Sequence, residues 1–316
     1  MFANIAGGFF MWAVHLLNYW LPKGDYGDFG VALAVVMLVP TIPLQMVLAQ
    51  QTAKALALGR QGELSNIVRW MWLATTALWI VVAVAVAIFQ NSILQSWHMT
   101  GATGILWITM AIVLLSLWMP VFMGVLQGQQ NFLWLGWVMM SNALGRISVA
   151  AIAVIALHIY AAGMITGVLV GILIAIILGA WHSRGCWLAR PEPFDGRALL
   201  EQVVPLFVGF LGFQILFTAD TLFVKAYFSK VQSDYYVSAG TMSRALMWLV
   251  LPLASVMFPR IVHSAAKAEK TNLVNLVLLG TFILAVVGAA GLTLVGPFVV
   301  RIIYAKQDPA DISALL

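Results

Sequence analysis

A chain of 316 residues with 63% apolar and 9% charged side chains has too little polar surface to clothe a soluble globule of its size. That excludes a soluble enzyme. The formal charge of +5 does not indicate nucleic acid either, because no polar segment is long enough to present a basic face. With Cys186 as the single cysteine, no disulfide can form within the chain.

The apolar residues come in runs of about 20 or more, the length an α-helix needs to cross about 30 Å of hydrocarbon. The chain therefore reads as an all-α polytopic membrane protein, without the ten-residue alternation of barrel strands. In chain order the expected spans are Phe2 to Leu21, Asp28 to Gln50, Trp70 to Gln90, Ile105 to Gln127, Phe132 to Leu157, Ala161 to Trp181, Leu199 to Val224, Tyr235 to Phe258 and Asn272 to Val295. Gly296 to Leu316 reads as the entry to a tenth span that has been cut off. No cleavable signal is expected, since the first run lacks a basic leader and flows into the second span.

Prolines and glycines mark how these spans should pack. Pro40 and Pro43 in span two, Pro120 in span four and Pro252 in span eight should kink their helices, each lacking an amide donor and crowding the preceding turn. Gly163, Gly167 and Gly171 form a small-residue stripe along span six that lets another backbone approach closely. Trp70, Trp72, Trp97, Trp181 and Trp187 sit near span ends, as interface anchors do. Asp25, Tyr26 and Gly27 read as a turn into span two.

Lys54, Arg60 and Arg69 follow span two, Arg184, Arg190 and Arg197 follow span six, and Arg260, Lys267 and Lys270 follow span eight. These connections share one parity, so the positive-inside rule places them and the amino terminus in the cytoplasm. Residues 25 and 234 also head similar stretches. Laying Asp234 on Asp25 (234 − 25 = 209) aligns Tyr235 with Tyr26, Pro252 with Pro43, Leu253 with Leu44, Val256 with Val47, Leu273 with Leu64 and Asn275 with Asn66, which suggests an internal repeat.

Three charges fall inside spans: Arg146, Asp220 and Arg244, with Lys225 just beyond Asp220. Each costs roughly 2.5 to 3.5 kcal/mol at a helix centre, so they should face protein or a wet cavity. Two readings stand open: an interhelical pair such as Asp220 with Arg244, or arginines that bind a phosphate-bearing substrate in bidentate fashion. Catalytic patterns are missing. His15, His98, His158, His182 and His263 are scattered without metal-ligand spacing, no phosphate-cradling glycine loop is present, and no connection could house a catalytic domain. No cofactor or metal and no enzymatic activity are expected.

Five segments carry a resemblance: Asp25-Tyr-Gly-Asp-Phe29, Gly124-Val-Leu-Gln-Gly-Gln-Gln-Asn-Phe132, Ala219-Asp-Thr-Leu-Phe-Val-Lys-Ala-Tyr-Phe228, Tyr235-Tyr-Val-Ser-Ala239, and Leu251-Pro252 with Met257-Phe-Pro259. Together they resemble polysaccharide (O-antigen type) translocases of the multidrug/oligosaccharidyl-lipid/polysaccharide (MOP) exporter superfamily, which also holds the multidrug and toxin extruders (MATE). The resemblance implies two six-helix lobes around a central cavity with alternating access. Here that would mean a lobe over 1–182, a cytoplasmic connection over 183–198 and an incomplete second lobe over 199–316. It further implies a flippase that moves an undecaprenyl-diphosphate-linked oligosaccharide across the cytoplasmic membrane, with glycan polymerase or glycosyltransferase partners left unidentified. On the burial argument alone Arg146, Arg244, Asp220 and Lys225 are the candidate substrate contacts. The alternatives are a drug or cation antiporter of the same fold, which needs membrane carboxylates, and a membrane glycosyltransferase or acyltransferase, which needs an acid or histidine cluster.

Overall fold

The computed structural model describes residues 2–244, 273–304 and 309–315, and all regular structure among them is helical. The chain divides into two compact units, Met1–Lys230 and Val231–Leu316. The first holds α1 (Phe2–Ala13), a 3-10 segment (Val14–Trp20), α2 (Asp25–Met37), α3 (Thr41–Ala57), α4 (Gln61–Ser96), α5 (Thr103–Gly128), α6 (Phe132–Ala151) with a π turn (Ile152–Ala156), α7 (Tyr160–Trp187) and α8 (Gly196–Tyr227). In the second lie residues 231–244 of a helix that starts at Lys230 of the first unit (α9, residues 230–244), α10 (Leu273–Ile303) and α11 (Pro309–Ala314). Among the described residues seven helical stretches are long and apolar enough to cross a membrane, with α2 and α3 together counting as one.

The first expected span is not one α-helix. After Ala13 the chain tightens into the 3-10 segment, where residues three apart eclipse, so His15 and Asn18 both turn inward and are buried. Span two is broken rather than kinked. α2 stops at Met37 and α3 begins after Pro40, because the proline offers no amide to continue the ladder. A break at membrane depth needs its carbonyls satisfied by protein, and the Gln214 side chain of α8 donates to the Met37 carbonyl. Pro43 causes no kink: it lies in the first turn of α3, where no intrahelical amide bond is owed. Pro120 sits inside an uninterrupted α5. Pro252 lies outside the described residues, as do residues 245–258 of the expected eighth span.

α4 starts at Gln61, so Arg69 belongs to a helix and not to a free basic connection. Its guanidinium donates to the carbonyls of Trp187 (Nε, 3.0 Å) and Ala189 (3.2 Å), and Ser65 Oγ donates to the same two at 2.9 and 2.8 Å. These are carbonyls left over at the end of α7, where a cation also meets the negative end of the helix dipole. The expected inter-lobe connection is therefore pinned to α4. Glu192 N–H donates to the Gly62 carbonyl, Asn66 donates to that of Glu192, and a Cβ on Gly62 would overlap the Glu192 side chain. Asp195 then caps α8 by accepting from Arg197 and Ala198 N–H at 3.1 and 3.0 Å.

The glycine stripe of α7 packs against α6 as its spacing predicts. A Cβ on Gly163 would come within 2.8 Å of Ala153 Cβ, one on Gly167 within 2.5 Å of the Arg146 carbonyl, and one on Gly171 against the Asn142 carbonyl. Of the tryptophans near span ends, Trp70, Trp72, Trp97 and Trp187 are part-buried. Trp72 meets Trp118 and Phe122 edge-on, and Trp70 meets Phe194. Trp181 is exposed, with the Arg184 guanidinium 4.1 Å above its ring.

α8 lies along α2 and α3 through three polar ties. Gln202 bonds Gln50 (2.7 Å) and Gln51 (3.0 Å), Gln214 takes the Met37 carbonyl, and Lys225 reaches Asp28. In the second unit Tyr304 is buried and donates to the Ser238 carbonyl at 3.4 Å. α10 runs through Gly296 and Pro297 to Ile303, so the first part of the expected tenth span continues the ninth. In lipid an unwound backbone costs more than one missing proline bond, which keeps the helix going.

Candidate substrate-binding site

Arg146 is held by backbone packing before its side chain is considered. α6 is drawn onto α7 because Gly167 and Gly171 present no Cβ to the carbonyls of Arg146 and Asn142, one turn apart. The side chain then points into the first unit, where 8% of the residue is exposed. Among the described residues its guanidinium has no ion pair, and its Nε is buried without a hydrogen-bond acceptor. An arginine in that position keeps its charge and its donors for something else.

Two groups the sequence did not single out stand beside it. The 3-10 segment carries His15, whose Nδ1 is 2.6 Å from the Tyr26 hydroxyl of α2. Tyr26 and Phe29 are fully buried, and the His15 ring meets them edge-on at 5.9 and 5.7 Å between centroids. Arg146 is close enough for its charge to act on both His15 and Tyr26. The triplet that read as a turn is thus the first turn of α2, and its tyrosine is buried against His15. A histidine within the first expected span was the available signal for His15.

Lys225 has a different place. Its ammonium is fully buried, 2.5 Å from Asp28 Oδ1, while Lys230 Nζ reaches Asp28 Oδ2 at 3.3 Å and Asp25 Oδ1 at 3.0 Å. Both carboxylates lie in the first turn of α2, and Lys225 in the last turn of α8, where each meets a favourable helix dipole. Burial alone would lower Lys230, but the hydrogen bond to Asp25 and the charges of Asp28 and Asp25 outweigh it and hold Lys230 above the ordinary lysine value of 10.5. The cluster is a self-neutralising clasp between α2 and α8. Lys225, expected as a substrate contact, is engaged in it.

Asp220 is part-exposed on α8, and its Oδ1 accepts from the Thr221 amide at 2.7 Å. Arg244 is the last described residue of α9 in the second unit, its guanidinium folded back toward Gly240. No group of three His, Cys, Asp or Glu side chains that could hold a metal occurs among the described residues.

A family model described as "Polysaccharide biosynthesis protein" matches residues 10–265. Among solved structures the chain is similar to an inward-facing multidrug resistance MATE family transporter of the MOP superfamily, with TM-score 0.74 at 14% identity over 99% of this chain and 74% of that one. A MATE in complex with MaD5 gives TM-score 0.57 at 15% identity, covering 99% and 74%. A MOP superfamily transporter from Pyrococcus furiosus, whose title reports reverse polarity of the binding pocket as suggesting a different function, gives 0.51 at 13% identity, covering 99% and 72%. No curated protein matches the chain. At these identities the likeness is one of fold.

Proposed function

The chain belongs to the polysaccharide biosynthesis protein family of the MOP superfamily of membrane transporters, and on that premise we propose that it flips an undecaprenyl-diphosphate-linked oligosaccharide across the cytoplasmic membrane. Arg146 holds the diphosphate while the lipid tail stays in the bilayer, and Arg244 is the second candidate cation. Movement of the lobes exposes the site to one side and then the other. The three basic connections put those loops and the amino terminus in the cytoplasm.

One observation carries the choice of an anionic cargo: the buried guanidinium of Arg146 has no acidic partner among the described residues. An uncompensated cation in a low-dielectric interior attracts phosphate and repels an organic cation. The antiporter reading asks for free carboxylates, yet Asp25 and Asp28 are already neutralised by Lys225 and Lys230. Asp220 on α8 is the candidate carboxylate for that reading.

The test exchanges Arg146 and Arg244 for alanine in a strain that depends on this gene for surface glycan. Export should fall by tenfold or more in Arg146→Ala at normal protein level. Wild-type export by both variants would overturn the assignment. Drug resistance conferred by the wild type and lost in Asp220→Asn would favour the antiporter.

A further inference from the structure

One empty space in the first unit takes no part in holding a diphosphate. α2 and α4 both pack on α5 but hardly touch each other, and a slot lies between them with α5 as its floor. Val31 and Val35 of α2, Val86 and Trp97 of α4, and Leu106 and Met110 of α5 mark its extent, and its volume is about 450 Å³ with the open mouth included.

The walls offer nothing to hold water. The Thr109 hydroxyl, in the floor, donates to the Ile105 carbonyl of its own helix at 2.7 Å. Gln90, which shares the α4 stripe of Val86 and Trp97, accepts from Trp107 Nε1 at 3.3 Å. Trp97 stands at the end of the slot nearest the α4–α5 connection, where an amphipathic ring suits the membrane surface. A buried water needs about two to four polar partners, so the slot is dry, and left empty it forfeits dispersion contacts along its whole lining.

Position and length name the occupant. Leu106, Thr109 and Met110 are buried, whereas Val35, Val86 and Trp97 are part-exposed, which puts the mouth between α2 and α4. Val82 and Phe89, about one turn from Val86 on that side of α4, are exposed on a helix long and apolar enough to cross the membrane, so hydrocarbon is the medium at the rim. The Trp97 end is level with exposed Gln95 and Ser96, at head-group depth. From there to Val86 the slot follows α4 for 11 residues (97 − 86), about 16 Å at about 1.5 Å per residue. The hydrocarbon of one leaflet is about 15 Å thick, half of about 30 Å. A single chain that starts at the membrane surface and points inward fits both ends.

We propose that this slot binds one acyl chain of a bilayer phospholipid, from the leaflet on the side away from the three basic connections. The chain supplies the packing between α2 and α4 that their own side chains leave out. This lipid is a resident of the fold and not the cargo.

Full-length protein is reconstituted in bilayers of phosphatidylethanolamine and phosphatidylglycerol with a small share of phospholipid carrying a diazirine midway along one acyl chain, then irradiated, digested and read by mass spectrometry. Surrounding lipid should label exposed positions such as Phe89 and Leu294, which are 59% and 81% exposed. A chain in the slot should also label Leu106 and Met110, which are 7% and 3% exposed. Val86→Phe narrows the mouth at a part-exposed position and Ala32→Phe fills the slot from the α2 wall, so labelling of Leu106 and Met110 should fall about fivefold or more in each while that of Leu294 stays. If Ala32→Phe does not fold, Val86→Phe carries the test. Wild-type labelling confined to exposed positions, or labelling of Leu106 and Met110 that Val86→Phe leaves unchanged, overturns the proposal. Farnesyl phosphate added as a minor membrane component should not compete; loss of the Leu106 and Met110 label on its addition assigns the slot to a prenyl chain and overturns the proposal as well. Labelling confined to exposed positions or unchanged by Val86→Phe leaves the transport reading intact, since that reading rests on Arg146.

Discussion

The buried pair of Asp28 and Lys225 gives an asymmetric prediction. Lys225 is fully buried and has Asp28 as its one ionic partner among the described residues, whereas Asp28 also keeps Lys230, whose side chain is 41% exposed. Removing one partner of a buried pair costs about 3 to 5 kcal/mol, mostly through the charge left behind. Asp28→Asn strands Lys225 with no other carboxylate and should fall near 5 kcal/mol. Lys225→Met leaves Asp28 with a solvent-screened substitute and should fall near 3 kcal/mol. The double variant leaves no stranded charge and should cost no more than about 2 kcal/mol, so it should be more stable than either single one. Cys186 is the only thiol and is buried, so a thiol-reactive dye reports unfolding directly in detergent. At about 2 to 4 °C per kcal/mol the single variants should melt roughly 10 to 20 °C and 6 to 12 °C below wild type. A double variant as unstable as the sum of the singles, or an Asp28→Asn melting with the wild type, would refute the reasoning.

The clasp also has a pH signature. Because Lys230 is held above its ordinary value, its contribution is whole below the unfolded lysine value of about 10.4 and is lost as pH rises through the folded one. The melting difference between wild type and Lys230→Gln should stay constant from about pH 7 to 9.5 and shrink above about pH 10.5; shrinkage near neutrality would contradict it. Arg69→Ala removes two donors from the end of α7 while Ser65 keeps its bonds, so a loss of about 1 to 3 kcal/mol is expected in the same melting assay. Gly171→Ala places a methyl against the Asn142 carbonyl and should cost at least about 1 to 3 kcal/mol. It should also lower glycan export by shifting the helix that carries Arg146, and unchanged melting would show that the helices are not in contact there.

Class and crossings were legible without coordinates because they depend on local quantities. Apolar run length is measured against bilayer thickness, and the α7 stripe works through the missing Cβ alone. The cost of burying Arg146 was likewise visible from its position within one run, and the structure places that residue in the protein interior. Local reading failed where a residue's effect depends on its turn. Pro40 breaks its helix where Pro43 does not, and Arg69 is a capping donor to α7 although its surroundings read as a basic loop.

Lys225 shows the limit most clearly. The cost of a charge at the end of an apolar run suggested a substrate contact, yet its partner lies 197 residues away on α2. His15, Tyr26 and Arg146 meet across three elements whose sequences say nothing of one another. The sequence alone determined that this protein crosses the membrane repeatedly and carries charges the membrane disfavours. Only tertiary packing decided which of those charges are cancelled and which stays open, because neutralisation depends on distances of a few ångströms between segments that no linear spacing encodes.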